Sequence, residues 1–145
     1  MTAPTISEGH EFVTARRTIT EADVVNFAGL SNDFDPLHID DDYAREAGFR
    51  GRIAHGQMIA SIVTGLRSEL DDWPVASFLG TSRRFAAPVV PGDTIRCRYR
   101  VEEVRQSASN PARNVVTVGV TVLNQIDATV MMGQDVMLVE GAQHQ

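Results

Sequence analysis

The segment from Ser31 to Asp42 carries the residue types and spacing that are best suited to chemistry. It holds five aspartates and a single histidine, and a proline interrupts it. A solvated acidic loop accounts for the charge, but it leaves unexplained the apolar residues threaded through the segment and His38 at its middle. Asp33 precedes His38 by five residues. A carboxylate and an imidazole at one site can act as general base and general acid.

Each of these residues also has a structural interpretation. Asp33 follows a predicted helix, so on spacing alone it is equally a turn or capping residue. His38 by itself is more typical of a loop histidine that bonds to a backbone carbonyl. Asp35 lies two residues from Asp33, where it either raises the proton affinity of Asp33, points to solvent, or caps the following turn. The segment alone leaves these alternatives open.

Gly56 is the second candidate for a chemical role, because it stands at the start of a predicted helix. Backbone N–H groups at a helix N-terminus are unpaired and lie at the positive end of the helix dipole, so they can stabilise a developing oxyanion. The missing side chain lets a ligand approach the backbone. Gly56 can equally be a steric necessity at a tight turn, and the two roles are compatible. For the neighbouring His55 we predict a structural role, orienting the loop before the helix, rather than a catalytic one.

The helix that begins at Gly56 is predicted to be central and buried. The run QMIASIVTGLRSEL is almost wholly apolar for eleven residues, and a helix that is apolar on nearly every side must be wrapped by other structure. Upstream, the pattern predicts a short strand over 12–19, a helix capped by Thr20, and a short helix from Asp40 to Ala47 that ends at Gly48. Residues 1–10 are small and polar and are expected to form a loose arm.

The second half of the chain changes to a period of two, which is typical of strands. Turn signals separate four predicted strands, with a bulge expected at Gly133 in the last one. These strands are Ser77–Ala87, Ile95–Val104, Val115–Leu123 and Ala128–Val139. One apolar helix followed by four antiparallel strands predicts an α+β fold in which a curled sheet wraps around the helix.

Composition and charge limit the class of protein. The 145 residues, with 43% hydrophobic and 22% charged residues, predict one soluble domain over 1–145. A net charge of −6 argues against a general binder of nucleic acid or anionic membranes. A single cysteine, Cys97, excludes an internal disulfide framework and a multi-cysteine metal site. No apolar run approaches the roughly 20 residues of a membrane span, and no secretory signal is recognisable, so a cytoplasmic location is expected.

Several motifs together resemble the MaoC-like, or (R)-specific enoyl-CoA hydratase, family of hot-dog-fold proteins. The similar segments are D33-F-D-P-L-H38, Y43-A, F49, I53-A-H-G56 and FAAPVVPGDTI, which together span most of the chain from about Phe12 to Val139. The resemblance implies a sheet wrapped around a central helix, a homodimer, and active sites near the subunit interface. It also implies addition of water to trans-2-enoyl thioesters, or its removal from (3R)-hydroxyacyl thioesters.

The resemblance assigns roles to individual residues. Asp33 and His38 form the catalytic pair, and the Gly56 N–H binds the thioester carbonyl. Thr64 stands where the hydratases often have a serine that supports the site, although its hydroxyl can instead bond back to its own helix. Asp35 stands where these hydratases commonly carry asparagine. Hydration needs a base to activate the water and an acid to protonate C2, so no metal or redox cofactor is required.

The acyl carrier is left open, because coenzyme A and acyl carrier protein both deliver a phosphopantetheine arm. The chain contains no lysine, so arginines must contact any phosphate, although each is also explained as a solvated residue paired with an acid. The candidates are Arg52, Arg83, Arg84, Arg96, Arg98 and Arg100. Two alternative functions are a hot-dog thioesterase and a non-catalytic subunit paired with a catalytic homologue. The second is disfavoured because Asp33 and His38 are both present.

Overall fold

The computed structural model describes residues 6–141, which form six strands and four α-helices. The strands form an antiparallel sheet in the order β1-β4-β5-β6-β3, and β2 pairs with β4. The strands are β1 (Glu11–Val13), β2 (Arg17–Thr18), β3 (Val75–Phe85), β4 (Thr94–Gln106), β5 (Arg113–Leu123) and β6 (Thr129–Glu140). The helices are α1 (Glu21–Ser31), α2 (Pro36–Ile39), α3 (Asp41–Glu46) and α4 (Gly56–Gly65), with a short 3-10 helix at Glu69–Asp72.

The predicted inward side chains of β4 and β5 are buried and form one side of the core, because alternate residues of a strand point to opposite faces of the sheet. These side chains are Ile95, Cys97, Tyr99 and Val101 on β4, and Val116, Val118, Val120 and Val122 on β5. On β4 the residues between them are mostly exposed or half-buried, as predicted, whereas on β5 they are half-buried or buried as well. Register shifts in the β3–β6, β4–β5 and β5–β6 pairings increase the local twist and let the sheet curl.

The bulge expected at Gly133 is wrong. Gly133 pairs in regular register with Val120 on one side and Arg83 on the other. A Cβ atom at this position would collide with the carbonyl oxygen of Ser82. The glycine is therefore required by the close approach of the neighbouring β3 backbone, and the sheet is bulged elsewhere.

Helix α4 lies against the inner face of the sheet and is shorter than the apolar run that predicted it. Met58, Ile59 and Val63 join the same apolar cluster as the inward strand residues. The opposite side of the helix, which includes Ser61 and Thr64, is exposed in the single chain. The central position of the helix is confirmed, but in the single chain only one of its faces is enclosed.

The prediction of a loose N-terminal arm is wrong for residues 6–10, and residues 1–5 lie outside the described part of the chain. Ile6 is buried, and the Gly9 N–H donates to the Val101 carbonyl at 2.8 Å. The Val101 N–H in turn donates to the backbone carbonyl of His10 at 2.9 Å. This segment therefore extends the edge of the sheet. The single strand predicted over 12–19 is divided into β1 and β2.

The predicted helix caps are confirmed. Thr20 and Asp23 form a reciprocal capping box at the start of α1. Asp40 accepts the Tyr43 N–H at 3.0 Å and so begins α3, and Gly48 follows the end of that helix with φ of 96°. Within residues 6–141, no helix is long and apolar enough to cross a membrane.

Candidate active site

Asp33 is presented by the turn that ends helix α1. Asn32 adopts the left-handed conformation (φ 62°), which stops the helix and redirects the chain. The Asp33 N–H donates to the Ser31 hydroxyl at 3.2 Å, and Asp33 Oδ1 accepts the Asp35 N–H at 3.2 Å. The carboxylate is 52% exposed. One carboxylate oxygen thus holds the turn, while Oδ2 is left to face the site.

His38 lies on the short helix α2, which Asp35 begins. Asp35 Oδ1 accepts the Leu37 N–H at 3.0 Å, so the structure favours the capping role among the three alternatives for this residue. His38 Nδ1 lies 2.7 Å from the Ile53 carbonyl oxygen. Because a carbonyl only accepts, Nδ1 carries the hydrogen, and Nε2 of the neutral ring offers a lone pair.

The two predicted catalytic side chains come together at the atoms that are left free. Asp33 Oδ2 lies 3.7 Å from His38 Nε2, and the histidine side chain is only 13% exposed. This distance is too long for a direct hydrogen bond, and in the neutral ring both atoms are acceptors. One water molecule, about 2.8 Å from each atom, can donate its two hydrogens across the gap. The arrangement is therefore suited to holding and activating a single water.

His55 contacts both members of this pair. Its Nε2 lies 2.9 Å from the Asp33 backbone carbonyl, and its ring stacks on His38 with centroids 3.7 Å apart and planes at 24°. Phe27 of α1 covers it at a centroid distance of 4.9 Å. The residue is 3% exposed, and its Nδ1 is buried without a hydrogen-bond partner in the described chain. The predicted orienting role is consistent with these contacts.

Gly56 begins α4, and no side chain caps this helix. As the first helical residue it has no intrahelical partner, and its N–H forms no hydrogen bond with the described residues. A Cβ atom on Gly56 would lie 2.7 Å from Cε1 of Phe85, which itself is 51% exposed. The Phe85 ring therefore makes glycine a steric necessity at position 56. The unpaired N–H leaves the donor role available as well.

His38 and Gly56 share an apolar cavity of about 430 Å³. Its walls come from α4, the loop before it, the connection between β3 and β4, and strand β6. Among the side chains that line it are Ile53, Ile59, Phe85, Val89, Val130 and Met131. The imidazole and the helix N-terminus thus lie beside a space that suits an apolar chain.

Thr64 and the six candidate arginines form no hydrogen bond or ion pair with Asp33 or His38 in the described part of the chain. The Thr64 hydroxyl donates to the Ala60 carbonyl at 3.0 Å, the back-bonding alternative, and within the single chain it does not reach Asp33 or His38. Four arginines are paired with acids, whereas Arg84 and Arg98 form no ion pair with the described residues. The four pairs are Arg52 with Glu21, Arg83 with Asp135, Arg96 with Asp127, and Arg100 with Glu11.

The loop that carries Ile53 to Gly56 is anchored by residues that the sequence did not single out. Arg50 donates to both oxygens of the buried Asp93, at 3.2 and 3.1 Å. Burial by itself would raise the pKa of Asp93, but hydrogen bonds from Val90, Gln125 and Arg50 outweigh it and hold that pKa below its usual range. In the sequence, the one signal for this anchor is the position of Asp93 in the PGDT turn that precedes β4.

Ion pairs made by Arg52 hold the same loop. The Arg52 backbone N–H donates to Asp41 Oδ1 at 2.9 Å, and this bond is the main reason that the pKa of Asp41 lies below its ordinary value. The Arg52 guanidinium contacts the same oxygen at 3.2 Å and Glu21 at 2.7 Å. Arg52 is therefore explained as an anchor of the active-site loop.

The geometry also bears on a metal or a thiol nucleophile. Asp33, His38 and His55 offer ligand atoms within 4.8 Å of one another. The two imidazoles are stacked nearly parallel, however, so their in-plane lone pairs do not converge on one point as ligation of a single ion requires. Burial raises the pKa of Cys97 to about 12, which keeps this thiol protonated. The cluster is suited to proton transfer.

Comparison with known proteins gives a consistent result. Residues 5–124 match the family model of the MaoC like domain. An (R)-specific enoyl-CoA hydratase from Rhodospirillum rubrum is 36% identical over 128 residues, which cover 88% of each protein. The solved structure of a MaoC-like dehydratase from the same organism superposes with a TM-score of 0.83, at 29% identity over 96% of each chain.

A more distant structure bears on the fold alone. A Mycobacterium tuberculosis protein with a double hotdog fold superposes with a TM-score of 0.82 at 19% identity, over 97% of this chain and 44% of that one. The curled sheet around α4 is thus the hot-dog fold expected from the sequence. With the family model matched from residue 5 to residue 124, the chain belongs to the MaoC-like domain family.

Proposed function

We propose that this hydro-lyase interconverts trans-2-enoyl thioesters and (3R)-3-hydroxyacyl thioesters. The observation that carries the proposal is the 3.7 Å gap between Asp33 Oδ2 and His38 Nε2, beside an apolar cavity and the free N–H of Gly56. The relative from R. rubrum, which is named as an (R)-specific enoyl-CoA hydratase, supports the same reaction. A role as a non-catalytic partner subunit fits less well, because the acid–base pair is assembled.

The pair divides two proton transfers. In hydration, a water held between Asp33 and His38 attacks C3, and one member of the pair accepts the proton that the water loses. The electrons of the double bond move toward the thioester carbonyl. The proton taken from the water, passed between the two residues where needed, is then delivered to C2, so hydroxide and proton from one water are both added and the pair returns to its starting state. In dehydration the proton leaves C2 and the C3 hydroxyl departs as water.

Negative charge that develops on the thioester oxygen needs a donor that is already in place. The Gly56 N–H meets this need, because it is unpaired and lies at the positive end of α4. Removal of one such donor typically raises a reaction barrier by roughly 3–4 kcal/mol. We assign the thioester carbonyl to Gly56 and the acyl chain to the apolar cavity that Gly56 shares with His38.

The remaining assignments concern cofactor and carrier. Proton transfer and an N–H donor are sufficient for this chemistry, so we propose that it needs no metal or redox group. Coenzyme A or the phosphopantetheine of an acyl carrier protein enters as part of the substrate. Arg84 and Arg98 are the members of the sequence-derived arginine set that have no ion-pair partner among residues 6–141, so they are the ones available to a phosphate.

We further propose a homodimer formed through strand β3. This strand lies at the edge of the sheet, pairs only with β6 in the described chain, and exposes large apolar side chains. They are Val75, Phe78, Leu79 and Phe85. A long apolar edge strand is a template for pairing with another chain. Because Phe85 also lines the cavity beside Gly56, a second copy paired here would lie next to the active site.

The test follows enoyl-thioester absorbance after crotonyl-CoA is added to the purified protein. Loss of absorbance, with a product consumed by a (3R)-specific but not a (3S)-specific dehydrogenase, is the expected result. Asp33→Asn should abolish it. Release of free thiol without a change in the enoyl band would indicate the thioesterase instead. Absence of both signals, with longer and carrier-bound enoyl thioesters tested as well, would refute the proposal.

A further inference from the structure

We infer that His55 is a positioning residue that holds both catalytic groups at once. Its Nε2 contacts the Asp33 backbone and the face of its ring stacks on His38, so a single buried side chain contacts both catalytic residues. The inference goes beyond the proposed function, because that reaction needs the pair but does not say what fixes the distance between its members.

The first contact determines the direction of the Asp33 carboxylate. His55 Nε2 lies 2.9 Å from the Asp33 backbone oxygen, which can only accept, so Nε2 carries the hydrogen. Asp33 lies just beyond the end of α1, where the helix no longer fixes its backbone. The bond from His55 supplies the missing constraint. Together with the Asp33 Oδ1 bond to the Asp35 N–H, it leaves Oδ2 facing His38.

The second contact fixes the plane of the His38 ring. His38 Nδ1 donates to the Ile53 carbonyl, which holds one edge of the ring but leaves rotation about that bond. The His55 ring, which is stacked on His38 at 3.7 Å and is itself in contact with the Phe27 ring, removes this freedom. A residue needed only as a hydrogen-bond donor would not have to be aromatic. The ring is used for the stack.

The two histidines therefore have opposite tautomers, His38 as Nδ1–H and His55 as Nε2–H. The Ile53 carbonyl accepts from His38 and so sets the His38 tautomer, and the Asp33 carbonyl accepts from His55 and so sets the His55 tautomer. Ile53 and His55 belong to the same short segment. The backbone of this segment is fixed by two hydrogen bonds. The Ile53 N–H donates to the Leu37 carbonyl at 3.0 Å, and the Ala54 N–H donates to the Val89 carbonyl at 2.7 Å. Residues 53–56 thus contact Asp33 and His38 and also provide the Gly56 N–H donor.

The tautomers are directly measurable in the unmodified protein. Ring ¹⁵N shifts of histidine-labelled protein at about pH 8.5, where an ordinary histidine is neutral, should show protonated Nδ1 in His38 and protonated Nε2 in His55. The reverse tautomer at either residue would overturn the inference. This measurement does not depend on turnover, so it stands apart from any failure of the proposed reaction.

Two substitutions separate the two contacts. His55→Phe keeps an aromatic ring against His38 but loses the donor to Asp33. His55→Gln keeps an N–H near the position of Nε2 but loses the stack. We expect each to lower kcat for crotonyl-CoA ten- to hundredfold with a smaller change in KM, because the pair is misplaced while the cavity is intact. Only His55→Gln should broaden the His38 ring ¹⁵N signals, because without the stack the ring can turn about its bond to the Ile53 carbonyl while that bond keeps the tautomer.

The matched control is His10→Gln. His10 is partly exposed, pairs with Glu69, and has no contact with Asp33, His38 or His55 among the described residues. The substitution should leave kcat and the His38 signals unchanged. Wild-type kcat and wild-type His38 signals in both His55 variants would reduce His55 to a space-filling residue and overturn the inference. Altered His38 signals in a protein whose wild type hydrates no enoyl thioester would sustain the positioning role and refute the proposed function.

Discussion

Gly56→Ala tests the most closely constrained position in the site. The new Cβ would lie 2.7 Å from Cε1 of Phe85 and 2.9 Å from its Cδ1 and Cζ atoms. These separations are shorter than real Cβ contacts, so the ring must move. Phe85 is half exposed at the end of β3, and it can therefore swing outward rather than break the fold. We expect a loss of about 1–3 kcal/mol in the free energy of unfolding, as for other overpacked sites.

The assay compares thermal unfolding of four proteins: wild type, Gly56→Ala, Phe85→Ala and the double variant. For a chain of this length, 1 kcal/mol corresponds to about 2–4 °C in Tm, so the Gly56→Ala penalty is readily measured. Once Phe85 is truncated the collision is absent, and the penalty should largely disappear. Gly65→Ala is the matched control, because a Cβ there meets no atom within 4 Å.

Activity in the same four proteins separates the two roles of Gly56. A methyl group at the start of α4 obstructs the approach of a thioester carbonyl to the N–H whether or not Phe85 is present. We therefore expect kcat to fall by about 10²–10³ in Gly56→Ala and to stay low in the double variant. Recovery of both stability and kcat in the double variant would show that the glycine serves only the ring. An unchanged Tm for Gly56→Ala would refute the steric reasoning itself.

Four further predictions follow from the site and its supports. Asp33→Asn and His38→Ala should each lower the rate of crotonyl-CoA hydration by orders of magnitude with little change in Tm; near wild-type turnover in either variant would contradict the assigned roles. Because its pKa is lowered in the folded state, Asp93 stabilises the protein above the ordinary carboxylate pKa, and that contribution is lost as pH falls through the folded value. Asp93→Asn should thus lower Tm at pH 7 and narrow the difference in Tm between neutral and acidic pH, whereas parallel pH curves would count against this coupling. Phe78→Glu on the β3 edge should shift the protein from dimer to monomer in light scattering, while Ile126→Glu, in an exposed turn, should not. Dialysis against EDTA should leave the hydration rate unchanged, and a loss restored by a divalent cation would oppose a reaction run by proton transfer alone.

Local pattern was sufficient for much of the architecture. The alternation on β4 predicted which side chains are buried, because period two and burial are coupled where one face of a strand is covered. On β5 it identified buried valines, but the residues between them are half-buried or buried too. Thr20 and Asp40 predicted helix starts, because capping depends on residues within three positions of each other. A family resemblance selected Asp33, His38 and Gly56 as one site. In the structure, His38 faces Asp33 across a 3.7 Å gap and shares a cavity with Gly56.

Tertiary structure alone decided what those residues contact. The carbonyl of Ile53 orients His38, yet a backbone carbonyl has no signature in sequence, because every residue carries one. The reason for Gly133 lies in the β3 backbone fifty residues away, and the reason for Gly56 lies in the ring of Phe85. The stacked position of His55 depends likewise on three separate segments meeting. Sequence periodicity reports which side of an element is buried, whereas long-range packing decides which distant atoms meet there, and the catalytic geometry depends on that second property.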